Sequence, residues 1–515
     1  MVRRTPIKRT LWRSILVWTL FGVFSVSITS GFLYSILLNE NLMLGILILC
    51  YFISQLVLAI MNMRACRKCL MGDESITWKK WITHNYWETR GATYFHQHPT
   101  RVGILLVGYR EDPIYWEQCV RSIRTHSPPS IVRVVCAAID GNERPDTMME
   151  EQFYETWDKN QDNTQPEDGY TNISLESPID RVSLLLPHRG KRHTMRSGFE
   201  YLRIHYPDLD YIIVMDSDSV VTPNSIWSLV RVMDENPANG CGTGCLQILN
   251  LENMLARIID ARYAYAFNIE RSAMSALGVM NCCSGPFSIY RTSCLTDGLL
   301  QDFIAQRFCM QPVGPGDDRH LTNLILAQGY RSIQCPYSLA KTECPLSIRR
   351  FFIQQLRWMR SFYREQPFQI YAMPVQNVYL IVVTVYEILF PFVMTLSLIP
   401  TFGILYPSPV IVFYHRLLLC ISVIVLRTLI LIFTMRRIDL WYNVFMLPLF
   451  FIALLPMKLY AILTMGIQNW MTSNRLFLRH NCNIDVFCMW WSIFLWNALY
   501  VLLLDHRFGW FSMIS

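Results

Sequence analysis

Hydrophobic and polar positions divide the chain into two apolar ends and a mixed middle. Apolar runs of spanning length, at least ~18 residues, lie near 14–38, 42–63, 378–405, 409–434, 440–466 and 485–504. From 64 to about 345 charged residues return, and short β-branched runs such as Val102–Val107, Val132–Ile139 and Tyr211–Met215 alternate with helical stretches. Short buried strands between helices predict an α/β domain with a parallel sheet. The stretch near 142–180, with Asn142, Asp146, Asp158, Asp162, Glu167 and Asp168, is acidic and polar. It reads as a surface insertion without assignable chemistry.

Composition sharpens this picture. Only 17% of residues are charged, against about 25% in a soluble protein, and the deficit sits in the apolar ends. The net charge of +7 comes partly from residues flanking those runs. Arg3, Arg4, Lys8, Arg9 and Arg13 precede the first; Arg64, Arg67 and Lys68 follow the second; the turn between has no Lys or Arg. Positive charge so placed reports membrane topology and puts the amino terminus and the α/β stretch in the cytosol. It also argues against nucleic acid as a partner. The first run exceeds the ~7–15 residues of a signal peptide, so 1–68 reads as an uncleaved membrane hairpin. Sixteen cysteines include one isolated CxxC, Cys66 and Cys69. That excludes the paired spacing of a zinc module and fits reduced cytosolic thiols. Near the other end, Pro456 and Lys458 interrupt the run 440–466. Proline breaks a helix, and lysine at membrane depth needs a polar cavity. A broken, re-entrant segment would leave Trp470–Arg475 cytosolic; a simple span would put it outside. Re-entry is the preferred reading.

Candidate chemistry clusters where strands end. Gly108-Tyr109-Arg110-Glu111-Asp112 follows the first strand and Asp140-Gly141 the next. Ligands bind at such carboxyl ends in parallel sheets, although ordinary turns also look like this. Pro187-His188-Arg189-Gly190-Lys191-Arg192 joins a glycine to dense cations, which suits a diphosphate or a solvated basic patch. The sharpest signal is Val214-Met215-Asp216-Ser217-Asp218. Carboxylates at i and i+2 of an extended chain point to one side and can hold Mg²⁺ or Mn²⁺ against a diphosphate. Gly316-Asp317-Asp318-Arg319-His320 sets two acids beside a base; one could deprotonate a hydroxyl, or the pair could mark a helix start. From Arg349 to Tyr371 aromatics and cations interleave around Gln354-Gln355-Leu356-Arg357-Trp358, the pattern of an amphipathic interfacial helix.

In this order, and flanked by membrane spans, these motifs resemble those of processive family-2 glycosyltransferases, and most closely the class I hyaluronan synthases. The likeness rests on GYREDP (108–113), DSD (216–218), CCSGPFSIYR (282–291), GDDRHLTN (316–323), QQLRW (354–358), SFYRE (361–365) and LLPMKLYAILTM (454–465). It implies a GT-A-type α/β domain at 69–345 set between multi-span helical segments. Interfacial helices would occupy 346–375, and a channel region with a gating loop at 468–476 would fill 376–515. It further implies that Asp318 is the catalytic base and that Asp216 and Asp218 hold nucleotide and Mg²⁺ or Mn²⁺. Tyr109, Arg110, Glu111, Asp140, Lys191, Arg192, Gln354, Arg357 and Trp358 would bind the UDP-sugar, with Trp470 and Arg475 closing over it. Cys282, Gly285, Pro286 and Asp317 would line the acceptor site.

The implied partners are UDP-GlcNAc, UDP-GlcA, the growing polysaccharide and the lipid bilayer, with no nucleic acid and no obligate protein partner. The implied location is a multi-pass position in the plasma membrane. Two features depart from the family pattern: Met471 stands where glycine usually follows the tryptophan, and one span rather than two follows the broken helix. The alternative product is chitin, from UDP-GlcNAc alone. Leu356 before Arg357, where chitin synthases carry a second arginine, favours hyaluronan. A receptor or transporter with a degenerate domain is opposed by the intact acids.

Overall fold

The computed structural model describes residues 42–72, 90–158, 179–402, 410–467 and 484–508, with positions 19, 76, 80, 81 and 86. The apolar run near 14–38, apart from Thr19, and the stretch Trp470–Arg475 lie outside the described residues.

One eight-stranded sheet organises the middle of the chain. Its strands are β1 (Val102–Gly108), β2 (Val132–Asp140), β3 (Asp180–Leu186), β4 (Tyr211–Asp216), β5 (Ser219–Val221), β6 (Asn239–Ile248), β7 (Ser288–Arg291) and β8 (Arg331–Thr342). They run in the order β3-β2-β1-β4-β7-β6-β8-β5. The first four are mutually parallel, β7 is antiparallel to both neighbours, β6 and β8 are parallel, and β5 is antiparallel to β8. The sheet is therefore mixed, not wholly parallel, because β5 and β7 run against their neighbours. Alternation builds two cores. Ile104, Leu106, Ile213 and Met215 pack on one face, and Leu105, Val107, Ile212 and Val214 on the other. Each such side chain contributes roughly 1.5–3 kcal/mol by burial, so a one-residue slip of β1 would exchange both sets.

The acidic stretch holds an element that its polarity hid. Arg144–Asp158 is a helix, with Met149 and Phe153 buried one turn apart. The Trp116 indole donates to the Met149 carbonyl at 2.9 Å, so this helix backs the loop after β1.

Helices flank the domain. Leu42–Met71 is a single 30-residue helix; its last turns enter the sheet core through Cys66, Leu70 and Met71. Among the described residues four segments are long and apolar enough to cross a membrane: Tyr379–Leu396, Phe413–Met435, Ile438–Leu463 and Ile484–Phe508. The third changes helix type along its length, upstream of Pro456 and Lys458. It runs as a 3₁₀ stretch (Ile438–Phe445), an α-turn (Met446–Leu449), a π-turn (Phe450–Leu454) and a helix (Leu455–Leu463). Pro456 sits in the first turn of that last helix, where no amide is needed. Both ends of the broken segment reach the α/β side. Arg437 pairs with Asp260 at 2.7 Å, and Arg360 donates to the Thr464 hydroxyl at 3.0 Å.

Helix Ile348–Ala372 joins the two regions. Ser347 caps it by accepting from the Arg350 amide. It is no surface helix: Arg360, Arg364 and Glu365 are buried. Arg360 donates to Asp485 at 2.8 Å, and Arg364 donates to the carbonyls of Met465 at 2.9 Å and Pro315 at 3.4 Å. A buried guanidinium so satisfied fixes the geometry of the elements it joins.

Candidate active site

A cavity of about 650 Å³ opens along the carboxyl ends of the strands, where such sheets bind ligands. It runs from Tyr109 and Asp140, past Asp216, to Met446 and Leu454 of the broken segment. Of the residues singled out from sequence, Tyr109, Glu111, Asp140, Lys191, Asp216, Asp218, Cys282, Gly285, Pro286, Asp317, Asp318, Gln354, Arg357 and Trp358 all line it.

At one end, the Asp140 carboxylate accepts from the amides of Arg189 at 3.0 Å and Gly190 at 3.1 Å, and meets His188 at 3.0 Å. These bonds hold the 188–190 turn open ahead of helix Lys191–His205. Gly190 has φ +92°, a conformation that favours glycine. Tyr109 stacks on His188 with ring centroids 4.4 Å apart, forming a flat shelf above Asp140. His188 was not among the expected binding residues, although it belongs to the basic motif.

The acidic centre comes next. Lys191 Nζ lies 2.7 Å from Asp216 and 3.0 Å from Asp317. Burial works against its charge, but the two carboxylates outweigh burial and hold its pKa above the ordinary lysine value. Burial raises the Asp216 carboxyl, and repulsion from Asp218 adds to this; Lys191 offsets only part. Burial also works against Asp317 ionisation, but Lys191 and Arg192 prevail and keep its pKa low. Gly285 leaves room for the cluster: a Cβ there would stand 3.1 Å from Lys191 Nζ and 3.2 Å from Asp216.

The two acids of the DSD motif converge by a route other than strand alternation. β4 ends at Asp216, and the turn at 217–218 swings Asp218 to the same cavity. Asp218 accepts from the hydroxyls of Ser219 at 3.3 Å and Thr342 at 3.4 Å.

Both readings of Asp317-Asp318 hold at once. They occupy the first turn of helix Asp317–Ala327, where carboxylates are favoured, and they face the cavity. Asp318 accepts from its neighbour's amide, Arg319 N, at 2.8 Å, and from the Cys282 thiol at 3.4 Å. Burial pushes that thiol up to about 12, so it stays a donor at neutral pH. Opposite, Gln354, Arg357, Trp358 and Ser361 share one face of helix Ile348–Ala372 at i, i+3, i+4 and i+7, and Trp358 remains 39% exposed into open space.

Arg110 and Arg192 are placed elsewhere. Arg110 turns away to Glu143 and Asp146. Arg192 is buried behind the wall and donates to the carbonyls of Gly314 at 2.9 Å, Phe303 at 3.2 Å and Pro315 at 3.3 Å. It shapes the loop leading to Asp317 and does not reach the cavity.

Gly316 makes that loop fit. Its φ is +93°, and a Cβ would sit 1.9 Å from the Ser361 hydroxyl oxygen. Gly316→Ala is expected to destabilise the fold by roughly 1–3 kcal/mol and to cut turnover. Adding Ser361→Gly should recover part of both by relieving the clash while the backbone strain remains. Thermal unfolding of the three variants checks this; an alanine variant as stable as the parent would contradict the contact.

Among the described residues no three His, Cys, Asp or Glu side chains converge as a metal cage. A hard divalent ion held by one or two carboxylates and substrate phosphates needs none. The donor set fits: Asp216 and Asp218 are oxygen ligands, and Lys191 already places a cation against Asp216.

Fold and site together define a sugar-nucleotide-type transferase domain mounted on membrane helices. Residues 167–361 match the family model described as "Glycosyltransferase like family 2". The chain is 30% identical to hyaluronan synthase 3 of Mus musculus over 74% of its length and 70% of that protein. It is 31% identical to hyaluronan synthase 3 of Homo sapiens over 73% and 70%, and 29% identical to hyaluronan synthase 2 of Gallus gallus over 79% and 76%. A solved mannosyltransferase from Pyrobaculum calidifontis, in complex with GDP-Man and Mn²⁺, is 14% identical with a TM-score of 0.44 over 76% of this chain and 97% of that one. The chain belongs to the family-2 glycosyltransferases related to the hyaluronan synthases, and its four long apolar helices mark a multi-pass membrane protein.

Proposed function

We propose that the chain polymerises hyaluronan from UDP-GlcNAc and UDP-GlcA at the cytosolic face of the plasma membrane and passes the product across. The observation that carries this reading is the continuity of the cavity. One space joins the Asp140 shelf, the acid cluster, Trp358 and the π-turn Phe450–Leu454. A polymer growing at Trp358 would already stand at the membrane helices.

The residues then divide the work. Tyr109 and Asp140, with Glu111 beside them, take the uridine. Lys191 and Arg357 face the diphosphate. Asp216 and Asp218 would hold Mg²⁺ or Mn²⁺, which supplies positive charge to a departing diphosphate. Trp358 and Gln354 form the floor for the terminal sugar, against Cys282, Gly285 and Pro286. Asp318 takes the proton from the acceptor hydroxyl as its oxygen forms a bond to the anomeric carbon. The bond from that carbon to UDP breaks on the opposite side, so configuration inverts. Positioning and fixed charge supply most of the acceleration. Trp470 and Arg475 are assigned to cover the nucleotide.

Feeding decides the product. Purified protein in lipid is expected to release UDP steadily only when both UDP-GlcNAc and UDP-GlcA are present, and the polymer should dissolve under hyaluronidase. Sustained polymer from UDP-GlcNAc alone, cleaved by chitinase, would replace the reading with chitin synthesis.

A further inference from the structure

Besides Arg357, four arginines line the cavity and have no place in the scheme above; Arg350 lies on helix Ile348–Ala372, and the other three are Arg262, Arg271 and Arg319. Their arrangement depends on an irregularity in the chain. Arg262 lies in helix Met254–Tyr265 and Arg271 ends the π-turn Ala266–Arg271. Nine residues apart in a regular α-helix would put them about half a turn out of phase. The wider π-turn rotates Arg271 back, so that Arg262, Ala266, Phe267 and Arg271 all face the cavity. Such turns are rare and cluster at functional sites.

Arg271 and Arg319 touch the loop carrying Cys282, Gly285 and Pro286. Arg271 donates to the Ser284 hydroxyl and lies 4.1 Å over the Phe267 ring. Arg319, next to Asp318 in sequence, donates to the Asn281 carbonyl at 3.5 Å and stands 5.1 Å over the Phe362 ring. Arg262 is paired with Glu270 at 2.9 Å. The ring faces and weak carbonyl contact hold Arg271 and Arg319 in place without a carboxylate partner at hydrogen-bond distance among the ion pairs of the described residues. Within the cluster, Asp216 and Asp317 are paired with Lys191. Planar guanidinium forks, partly desolvated and pinned on aromatic faces, match a carboxylate.

We propose that Arg271 and Arg319, supported by Arg262, read the carboxylate of an acidic sugar at the end of the growing chain. This rests on the polymerase reading above and deepens it. The site would then distinguish a uronate-terminated acceptor from one ending in a neutral amino sugar. A polymer of neutral sugars alone gives these forks nothing to bind, which ties the proposal to alternation.

Single-addition kinetics on oligosaccharide acceptors test it, with full-length protein in lipid. In the parent, a GlcA-terminated acceptor receives GlcNAc from UDP-GlcNAc, and a GlcNAc-terminated acceptor receives GlcA from UDP-GlcA. Arg271→Gln and Arg319→Gln, made separately, are expected to lower kcat/KM at least tenfold more for the uronate-terminated acceptor, chiefly through acceptor KM. Arg271→Lys should keep part of the preference, because charge remains while the fork is lost. UDP binding by calorimetry reports folding of each variant. Equal losses on both acceptors, in variants that still bind UDP, would mean a structural role and overturn the proposal. If the parent itself never uses UDP-GlcA, the hyaluronan reading fails, and that result is visible before any variant is made.

Discussion

Asp318→Asn is expected to reduce sugar transfer by about 10²–10⁴-fold, the range for losing a positioned general base, while UDP binding changes less than about twofold. The substitution is close to isosteric where it matters. Oδ1 can still accept the Arg319 amide, and the new amide group would face the Cys282 sulfur, which now donates to Asp318 at 3.4 Å. Neither hydrogen bond is to a charged side-chain group, although the Asp318 charge also acts on Lys191, Arg319 and Arg357 nearby. The proton acceptor is removed without breaking an ion pair at contact distance. Asp317→Asn should behave differently, because that carboxylate is tied to Lys191 at 3.0 Å. Its loss leaves Lys191 with Asp216 alone and lowers the negative charge of the cluster, so donor KM should change along with kcat. Measuring UDP release, polymer yield and UDP affinity for both variants separates the two acids. Polymer from Asp318→Asn at more than about a tenth of the parent rate would remove Asp318 as the base.

Much of this site could be read from sequence because its chemistry is local. Asp140, Asp216 and Gly190-Lys191 sit where strands stop or helices start, and strand ends are visible as the close of β-branched runs. The cavity face of helix Ile348–Ala372 was equally readable, since i, i+3, i+4 and i+7 spacing is a property of the chain alone. What escaped depended on distant partners. Arg192 looks like a phosphate ligand beside Lys191; only the packed loop 314–315 shows that it spends its donors on carbonyls. The acidic stretch concealed helix Arg144–Asp158 because its buried face is narrow, carried by Met149 and Phe153 among many charges. The π-turn left no periodic signal, so the shared facing of Arg262 and Arg271 could not be counted from their spacing. Irregularity near Pro456 and Lys458 was legible, but the contacts that seat the two ends of that segment are between residues far apart in sequence, Arg437 with Asp260 and Arg360 with Thr464.

Removal of divalent metal should abolish transfer, and Asp218→Asn should make that loss permanent. The reason lies in the charge balance of the cluster. Asp216, Asp218, Asp317 and Asp318 face one cavity, and at contact distance only Lys191 pairs with any of them, with Asp216 and Asp317, among the ion pairs of the described residues, before a diphosphate adds more negative charge. Repulsion from Asp218 already disfavours ionised Asp216, so a hard cation there relieves strain present in the folded chain and absent in the unfolded one. Ligands that bind only the folded state stabilise it, by about 2.7 kcal/mol at a hundredfold excess over Kd. Titrating Mn²⁺ or Mg²⁺ with UDP present is therefore expected to raise the unfolding midpoint of the parent, and to leave that of Asp218→Asn nearly unmoved. Chelator should erase activity in the parent and added metal should restore it; the variant should recover less than about a hundredth of parent activity at any metal concentration. Replacing Asp218 leaves Lys191 and its two partners intact, at 2.7 and 3.0 Å, so loss of fold is not expected to confuse the comparison. An Asp218→Asn protein that still gains stability from metal and still transfers sugar would show that the ion, if one is used, is held by other groups, and the division of labour between Asp216–Asp218 and Asp318 would have to be redrawn.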